Sequence, residues 1–272
     1  MTKRLKGIAF IIIIALLTAA FAGCSVHIDW GSINGIVGNG KVDTKTVSIE
    51  QEVTGVKNMG SMDVIIDPSL NGEAVIKGES NVIDLVELNQ NSRGELTVSL
   101  QSGTSFTLHK PITVRIPAVN GGLIELDGSG DISLDSKDAL KGDDFDVRIM
   151  GSGDIRLGVD TSDLELLVSG SGSMDLTVET QQMSANIDGS GRITAEGTAD
   201  DTRISINGSG NFDGRDCVMQ KADVSINGSG DISVNVASEL TGSVNGSGDV
   251  IYTGDPGAVA ISDNGSGNVI KR

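Results

Sequence analysis

Across the second half of the chain, apolar residues recur at fixed distances from a short Gly-Ser-Gly triplet. Two residues before its first glycine stand Leu126, Ile149, Val168, Ile187, Ile206, Ile226 and Val244, and only the last copy departs, with Asp263. Two residues after its second glycine stand Ile132, Ile155, Met174, Ile193, Phe212, Ile232, Val250 and Val269. The positions between are mostly polar, as at Arg148, Asn186, Ser205, Ser225 and Ser243. Alternation with period two predicts a strand on each side of the triplet, one face buried and one wet. The eight triplets begin at 128, 151, 170, 189, 208, 228, 246 and 265, so the intervals are 23, 19, 19, 19, 20, 18 and 19. A fixed period of this size predicts stacked coils, because one repeat has too little apolar area to fold alone. At the spacing between neighbouring strands, eight rungs make a stack roughly 38 Å long. The expected fold is therefore all-β, a single-domain parallel β-helix of Gly-Ser-Gly repeats.

Glycine at both ends of the triplet is expected to let the backbone enter left-handed regions at a recurring corner. Asn207, Asn227, Asn245 and Asn264 precede the last four triplets and suggest an amide ladder along the axis. After the triplet, Asp131, Asp154, Asp231 and Asp249 would stack as carboxylates, and stacked carboxylates repel. The longer first period is expected to hold an inserted loop, Ser136 to Asp144, at the far corner. At the end of the last rung, Lys271 and Arg272 discourage another chain from pairing on the open edge.

Before the repeats, strands are predicted at Thr46–Val53, Met62–Ile66, Ala74–Lys77, Val82–Leu88, Glu95–Leu100 and Ile112–Ile116. Their breaks, Asp67-Pro68, Asn71-Gly72, Arg93-Gly94 and Asn120-Gly121-Gly122, carry turn chemistry. No sustained helical stripe follows the first apolar run; Val82–Leu88 is the best candidate for a helix.

That first run changes the picture of where the protein resides. Lys3, Arg4 and Lys6 precede an apolar stretch from Ile8 to Phe21 and the small-residue exit Ala22-Gly23-Cys24. The stretch is shorter than the roughly 18–20 residues of a membrane span and reads as a secretory signal. Phe21-Ala22-Gly23-Cys24 resembles a bacterial lipobox, which implies acylation of the Cys24 thiol and a permanent hold on the membrane. The expected division is a signal peptide at 1–23, lipidated Cys24 with a tether over 24–42, and a β-solenoid over 43–272, with N-terminal strands in 43–120 and the repeats in 121–272. Without Lys3, Arg4 and Lys6, the chain keeps 17 basic and 37 acidic residues, a formal net charge of −20. Phosphate recognition needs clustered Lys and Arg, so nucleic acid is not an expected partner. Only Cys217 remains besides Cys24, so no intrachain disulfide is expected, and Cys217 beside Val218 and Met219 reads as a small buried hydrophobe.

Several segments together are similar to a known family. Gly55-Val56 leads into Ser61-Met62-Asp63-Val64-Ile65-Ile66; Gly94-Glu95-Leu96-Thr97-Val98 and Thr113-Val114-Arg115-Ile116-Pro117 follow, then repeated Gly-Ser-Gly-Asp-Ile blocks. Over roughly residues 45 to 270 the chain resembles the bacterial secreted or lipid-anchored auto-transporter adhesins with a head GIN domain. The resemblance implies a right-handed parallel β-helix outside the cell membrane and supplies no catalytic residue.

Catalytic and cofactor chemistry finds little support. His27 and His109 are distant in sequence and form neither a triad nor a zinc set, and no triplet continues into the Lys-Ser or Lys-Thr of a phosphate loop. Outside the signal the aromatics are Trp30, Phe106, Phe145, Phe212 and Tyr252, few for stacking on sugars or bases. A regular calcium array is opposed by Ser173, Arg192, Asn211 and Asn268 at the Asp position; an isolated site would use Asp127, Asp131 and Asp154. No catalytic residue, cofactor or metal is therefore expected. The leading expectation is a non-enzymatic envelope lipoprotein that presents a rigid solenoid for adhesion to wall polymer, glycan or protein. An envelope component acting through a membrane protein partner is the alternative, and a polysaccharide-acting enzyme the third reading.

Overall fold

A computed structural model describes residues 35–103 and 105–272. The expected signal peptide, Cys24, and the expected tether as far as residue 34 lie outside the described residues. Two units are present. Gly35, Ile36, Ser105 and Phe106 belong to one, where the Ile36 amide donates to the Ser105 carbonyl at 2.7 Å. Val37–Gly103 and Thr107–Arg272 form the other, the body. Among the described residues no helix is long and apolar enough to cross a membrane.

The body is a parallel β-solenoid of about eight turns with about 19 residues per turn. Each rung has a leading arm, which enters the triplet, and a trailing arm, which leaves it. Both pair in parallel with the same arms of the rungs on either side. Gly151, Gly170, Gly189, Gly208, Gly228 and Gly246 stand opposite one another in series. Alternation therefore becomes columns. Ile149, Val168, Ile187, Ile206, Ile226 and Val244 line up inside the leading arms with no exposed surface, as do Ile155, Met174, Ile193 and Ile232 inside the trailing arms. Each such aliphatic side chain contributes about 1.5–3 kcal/mol by leaving water, a gain that exists only because the next rung covers it.

The two glycines of a triplet serve different purposes. At the first, Gly208 has φ +134°, and a Cβ there would press on the Gly189 carbonyl oxygen of the rung below. That carbonyl accepts the Ser209 amide at 2.8 Å, so the rungs meet backbone to backbone. The second glycine does not adopt a positive φ, contrary to the expectation of a left-handed corner at both ends. Gly210 faces the interior instead, where a Cβ would collide with the Ile187 side chain.

The stack starts before the repeat does. Gly55–Gly60 and Asp63–Ile66 pair in parallel with Gly122–Gly128 and Ile132–Leu134, with Gly60 opposite Gly128. Their corner reads Gly60-Ser61-Met62. Met62 stands where the repeats have glycine and is buried, while Asn58 stands in the column of Leu126 and donates to the Met62 carbonyl at 2.7 Å. Glu95–Leu100 and Thr113–Ile116 add the outermost parallel strands. Antiparallel strands then cover this end: Val42–Ser48 pairs with Glu73–Glu79, which also pairs with Thr113–Ile116, and Val86–Gln90 pairs with Glu95–Leu100. The predicted strand Thr46–Val53 is thus displaced to Val42–Ser48, and the candidate helix at Val82–Leu88 is a 3-10 turn, Ile83–Leu85, followed by a strand. Pairing with Glu95–Leu100 overrides local propensity there.

A buried carboxylate secures the cover. Glu79 has no exposed surface; it accepts the Gly40 amide at 2.5 Å and the His109 amide at 3.0 Å. Burial pushes this carboxyl up, but the amides of His109, Gly40 and Lys110 outweigh burial and hold it below the ordinary value.

The first long period resolves differently from the expected corner loop. Asp135–Ala139 is the segment out of register, and Leu140 already pairs with Val159 inside the trailing arm. At the far end, Asp263 is opposite Val244 in the apolar column and is exposed. Its carboxylate accepts the Gly265 amide at 2.9 Å, and a charge in that column of an edge strand opposes further pairing, alongside Lys271, which bridges Asp255 at 2.9 Å.

Candidate functional site

Cys24, the one residue expected to carry a specific chemical role, lies outside the described residues, as do His27 and Trp30. The described chemistry is on the outer columns of the body. Asn227, Asn245 and Asn264 each donate Nδ2 to the Oδ1 of the asparagine one rung earlier, at 3.2, 3.3 and 3.2 Å, and Asn207 donates to Asp188 Oδ1 at 2.9 Å. The amide ladder read from the sequence forms, and it runs one way: every member donates toward the N-terminal side, where a carboxylate ends the row. Such chains polarise their members and reinforce register.

The acidic column on the other side of the triplet also stacks, with backbone amides set against the expected repulsion. Asp131 accepts the Asp154 amide at 3.1 Å and Asp231 accepts the Asp249 amide at 2.8 Å, so each carboxylate is spent on the backbone of the next rung. Arg156 lies 2.6 Å from Asp154, 3.6 Å from Asp131 and 3.7 Å from Asp175. A guanidinium thus pairs with Asp131 and Asp154, two of the three residues of the expected isolated calcium site, and among the described residues no three acidic, histidine or cysteine side chains form a metal cluster. Asp63 continues this column. Its carboxyl is raised by burial first and by Asp131 beside it, against one backbone hydrogen bond.

Cys217 is a free, buried thiol, and burial alone pushes it up to about 11. It is protonated and unreactive at neutral pH, as its apolar sequence setting suggests. His109 sits beside Glu79, its Nδ1 3.6 Å from the carboxylate, and supports the cover.

A groove was not read from the sequence. It occupies about 440 Å³ on the leading arms of five successive rungs, along the axis. One wall is the column Asp163, Gln182, Asp201, Lys221 and Glu239; the other is Glu165, Ser184, Arg203, Asp223 and Thr241. These are the residues seven and five places before each first glycine, so the spacing of the triplets contains them, but only the structure shows that the surface there is concave. Lys221 lies 4.0 Å from Asp201 and Arg203 3.6 Å from Asp223. Among the described residues Asp163, Glu165 and Glu239 form no ion pair. Two further hollows flank the inserted Asp135–Ala139 on the trailing arms, both touching Lys137, Asp138 and Ala139.

The family described as "Putative auto-transporter adhesin, head GIN domain" matches residues 52–256. The chain belongs to that family. This adhesin-family protein also shares its fold with solved structures. A putative adhesin from Parabacteroides distasonis is 22% identical with a TM-score of 0.79, over 88% of this chain and 100% of that one. A putative adhesin from Parabacteroides merdae is also 22% identical at 0.79, over 87% and 99%. A putative lipid binding protein from Parabacteroides distasonis is 25% identical at 0.78, over 86% and 99%. No curated protein matches the chain. The fold expected from the repeats is therefore seen both in the body and in its neighbours, and the family resemblance holds.

Proposed function

We propose that this protein is a non-enzymatic binding body of the bacterial cell envelope, held on the outer face of a membrane through acylated Cys24 and used for adhesion to an extracellular polymer, glycan or protein. The observation that carries the reading is the residue-for-residue register of the leading arms from Gly151 to Gly246. Register of this kind holds outward side chains in fixed rows, which is what an extended contact surface requires. Asp131 and Asp231 are committed to backbone amides and Asp154 to Arg156, so these three form no acid–base pair, and the non-enzymatic reading otherwise follows the adhesin description of the family. The formal charge of −20 after the signal keeps the body off anionic headgroups, leaving the membrane contact to the lipid.

The test is binding of the detergent-solubilised full-length protein to fractionated wall polymer, matrix glycans, lipid vesicles and solubilised membrane proteins. Saturable attachment to a polymer, glycan or surface protein is expected. Capture of one membrane protein with indifference to all surfaces would replace adhesion by a sensory or structural envelope role. Conversion of a polysaccharide would overturn the non-enzymatic reading. Lipid labelling should vanish in Cys24→Ala, and persistent label would refute the anchor.

A further inference from the structure

The groove on the leading arms narrows the class of ligand. Its walls hold ten outward side chains, every one able to hydrogen-bond, of which five are acidic and two basic. Four of the seven charges are paired across neighbouring rungs, so the uncompensated groups are the carboxylates of Asp163, Glu165 and Glu239. The floor carries Leu164, Met183, Thr202 and Ala222. Thr202 is 5% exposed and its hydroxyl has no hydrogen-bond partner among the described residues, whereas Thr180 in the neighbouring column donates to the Gln182 carbonyl at 3.0 Å.

Three properties of this surface favour one occupant. First, it lies mid-sheet. The strands Ser173–Gly189 and Arg192–Gly208 are paired on both sides, so a peptide laid here finds no free strand edge, and its own amides and carbonyls go unmet. Second, the wall groups repeat at the rung spacing of about 4.8 Å, which an extended peptide with about 3.3 Å per residue cannot follow. A sugar unit in an extended glycan has nearly the length of a rung, so its hydroxyls meet a hydrogen-bonding wall group at each step. Third, the excess of carboxylates repels an acidic polymer and accepts a neutral or amino-bearing one.

We propose that this groove binds an extended, carboxylate-free glycan laid along the axis of the stack, one sugar per rung. The assignment rests on the adhesion reading and names its ligand class and location. No aromatic ring lines the groove, so contact is by hydrogen bonds to hydroxyl and amino groups, and affinity for a short oligomer is low. A long polymer, or many copies on one membrane, converts that low affinity into firm attachment.

The experiment is titration of the detergent-solubilised full-length protein with hexamers of glucosamine, N-acetylglucosamine and galacturonic acid, with hexalysine as the peptide arm. Expected is saturable binding of the first two and none of the third. Ser184→Trp, which fills the groove from an outer wall, should weaken both sugars about tenfold, and Arg192→Trp on the trailing arm should leave them within about twofold. Glu165→Lys, at an exposed position, should weaken glucosamine several-fold and spare N-acetylglucosamine, which keeps the test open if the tryptophan variant folds poorly. Undiminished binding in Ser184→Trp and unchanged preference in Glu165→Lys would overturn the assignment, as would equal binding of galacturonate. Tighter binding of hexalysine, lost in the same variants, would make the groove a peptide site and refute the glycan. Should no hexamer bind while the protein still attaches to wall polymer or a surface protein, the groove assignment fails and adhesion stands; loss of all attachment removes both.

Discussion

The two arms of each rung are built from the same alternation and packed on the same core, yet they differ in how much irregularity they hold. From Asp163 to Gly246, the leading arms match residue for residue over five rungs, with the amide ladder on one border and the groove along the other. The trailing arms absorb most departures from the period: Asp135–Ala139 in the first, a shift after Thr194 against the next rung, and another after Gly214, with one more between Met219 and Lys221 where the next leading arm begins. Irregularity therefore stops where the leading arms start. Outer rows can stay aligned only where no residue is gained or lost: the aligned side carries a groove that runs along the axis, whereas the hollows of the trailing side gather around the inserted Asp135–Ala139.

The corner joining the arms should be the least forgiving place. Gly208→Val combines a positive φ with a collision against the Gly189 carbonyl, and a loss of at least about 3 kcal/mol is expected from denaturant midpoints. Gly60→Ala is the matched control: φ is +143° but nothing lies within 4 Å of its Cβ, so about 1–2 kcal/mol is expected. Equal losses at the two sites would show that close approach between rungs contributes nothing.

A direct contrast of the arms comes next. Two residues, Gly-Ser, inserted after Asp138 extend a segment already out of register and should cost less than about 0.5 kcal/mol. The same pair inserted after Ser184 preserves the in-and-out alternation but displaces the walls and ladder, and should cost about 2 kcal/mol or more. Comparable thermal midpoints for the two insertions would erase the distinction drawn between the arms.

Smaller effects probe each arm alone. Asn227→Ala removes a donor to Asn207 and an acceptor from Asn245 on an exposed surface, so about 1 kcal/mol is expected, measured by urea denaturation. Cys217, on the trailing arm where register slips, reports local opening. With its thiol raised to about 11 and buried, it should resist alkylation at pH 7 in the native protein and react at once in denaturant. Fast native labelling would mean that this arm opens on its own.

How much of this was legible follows the same division. The triplets, the apolar columns beside them and the asparagine row lie close to an invariant marker, so counting from the glycines places them correctly. Gly60-Ser61-Met62 escaped because Met62 replaces the second glycine and Asn58 replaces the aliphatic residue, a paired exchange that only the Asn58–Met62 hydrogen bond makes intelligible. The antiparallel cover was read as strands with shifted ends, since pairing between Val86–Gln90 and Glu95–Leu100, and not local preference, decides them. The inserted loop was placed at a corner because period lengths give the number of extra residues but not where along the rung they leave the sheet. The groove walls were present in the spacing, but concavity belongs to the assembled surface and to no single repeat.

The second glycine of the triplet has a consequence for how such a protein can change. Because Gly210 and its counterparts are held against the backbone carbonyls and inward side chains of the adjacent rung, the fold is specified almost wholly from within. The outer rows are relieved of that duty. Substitution at positions such as Gln182, Ser184 or Thr241 can alter what the surface recognises while the scaffold beneath stays the same, so partner preference can drift in evolution without passing through an unstable ancestor.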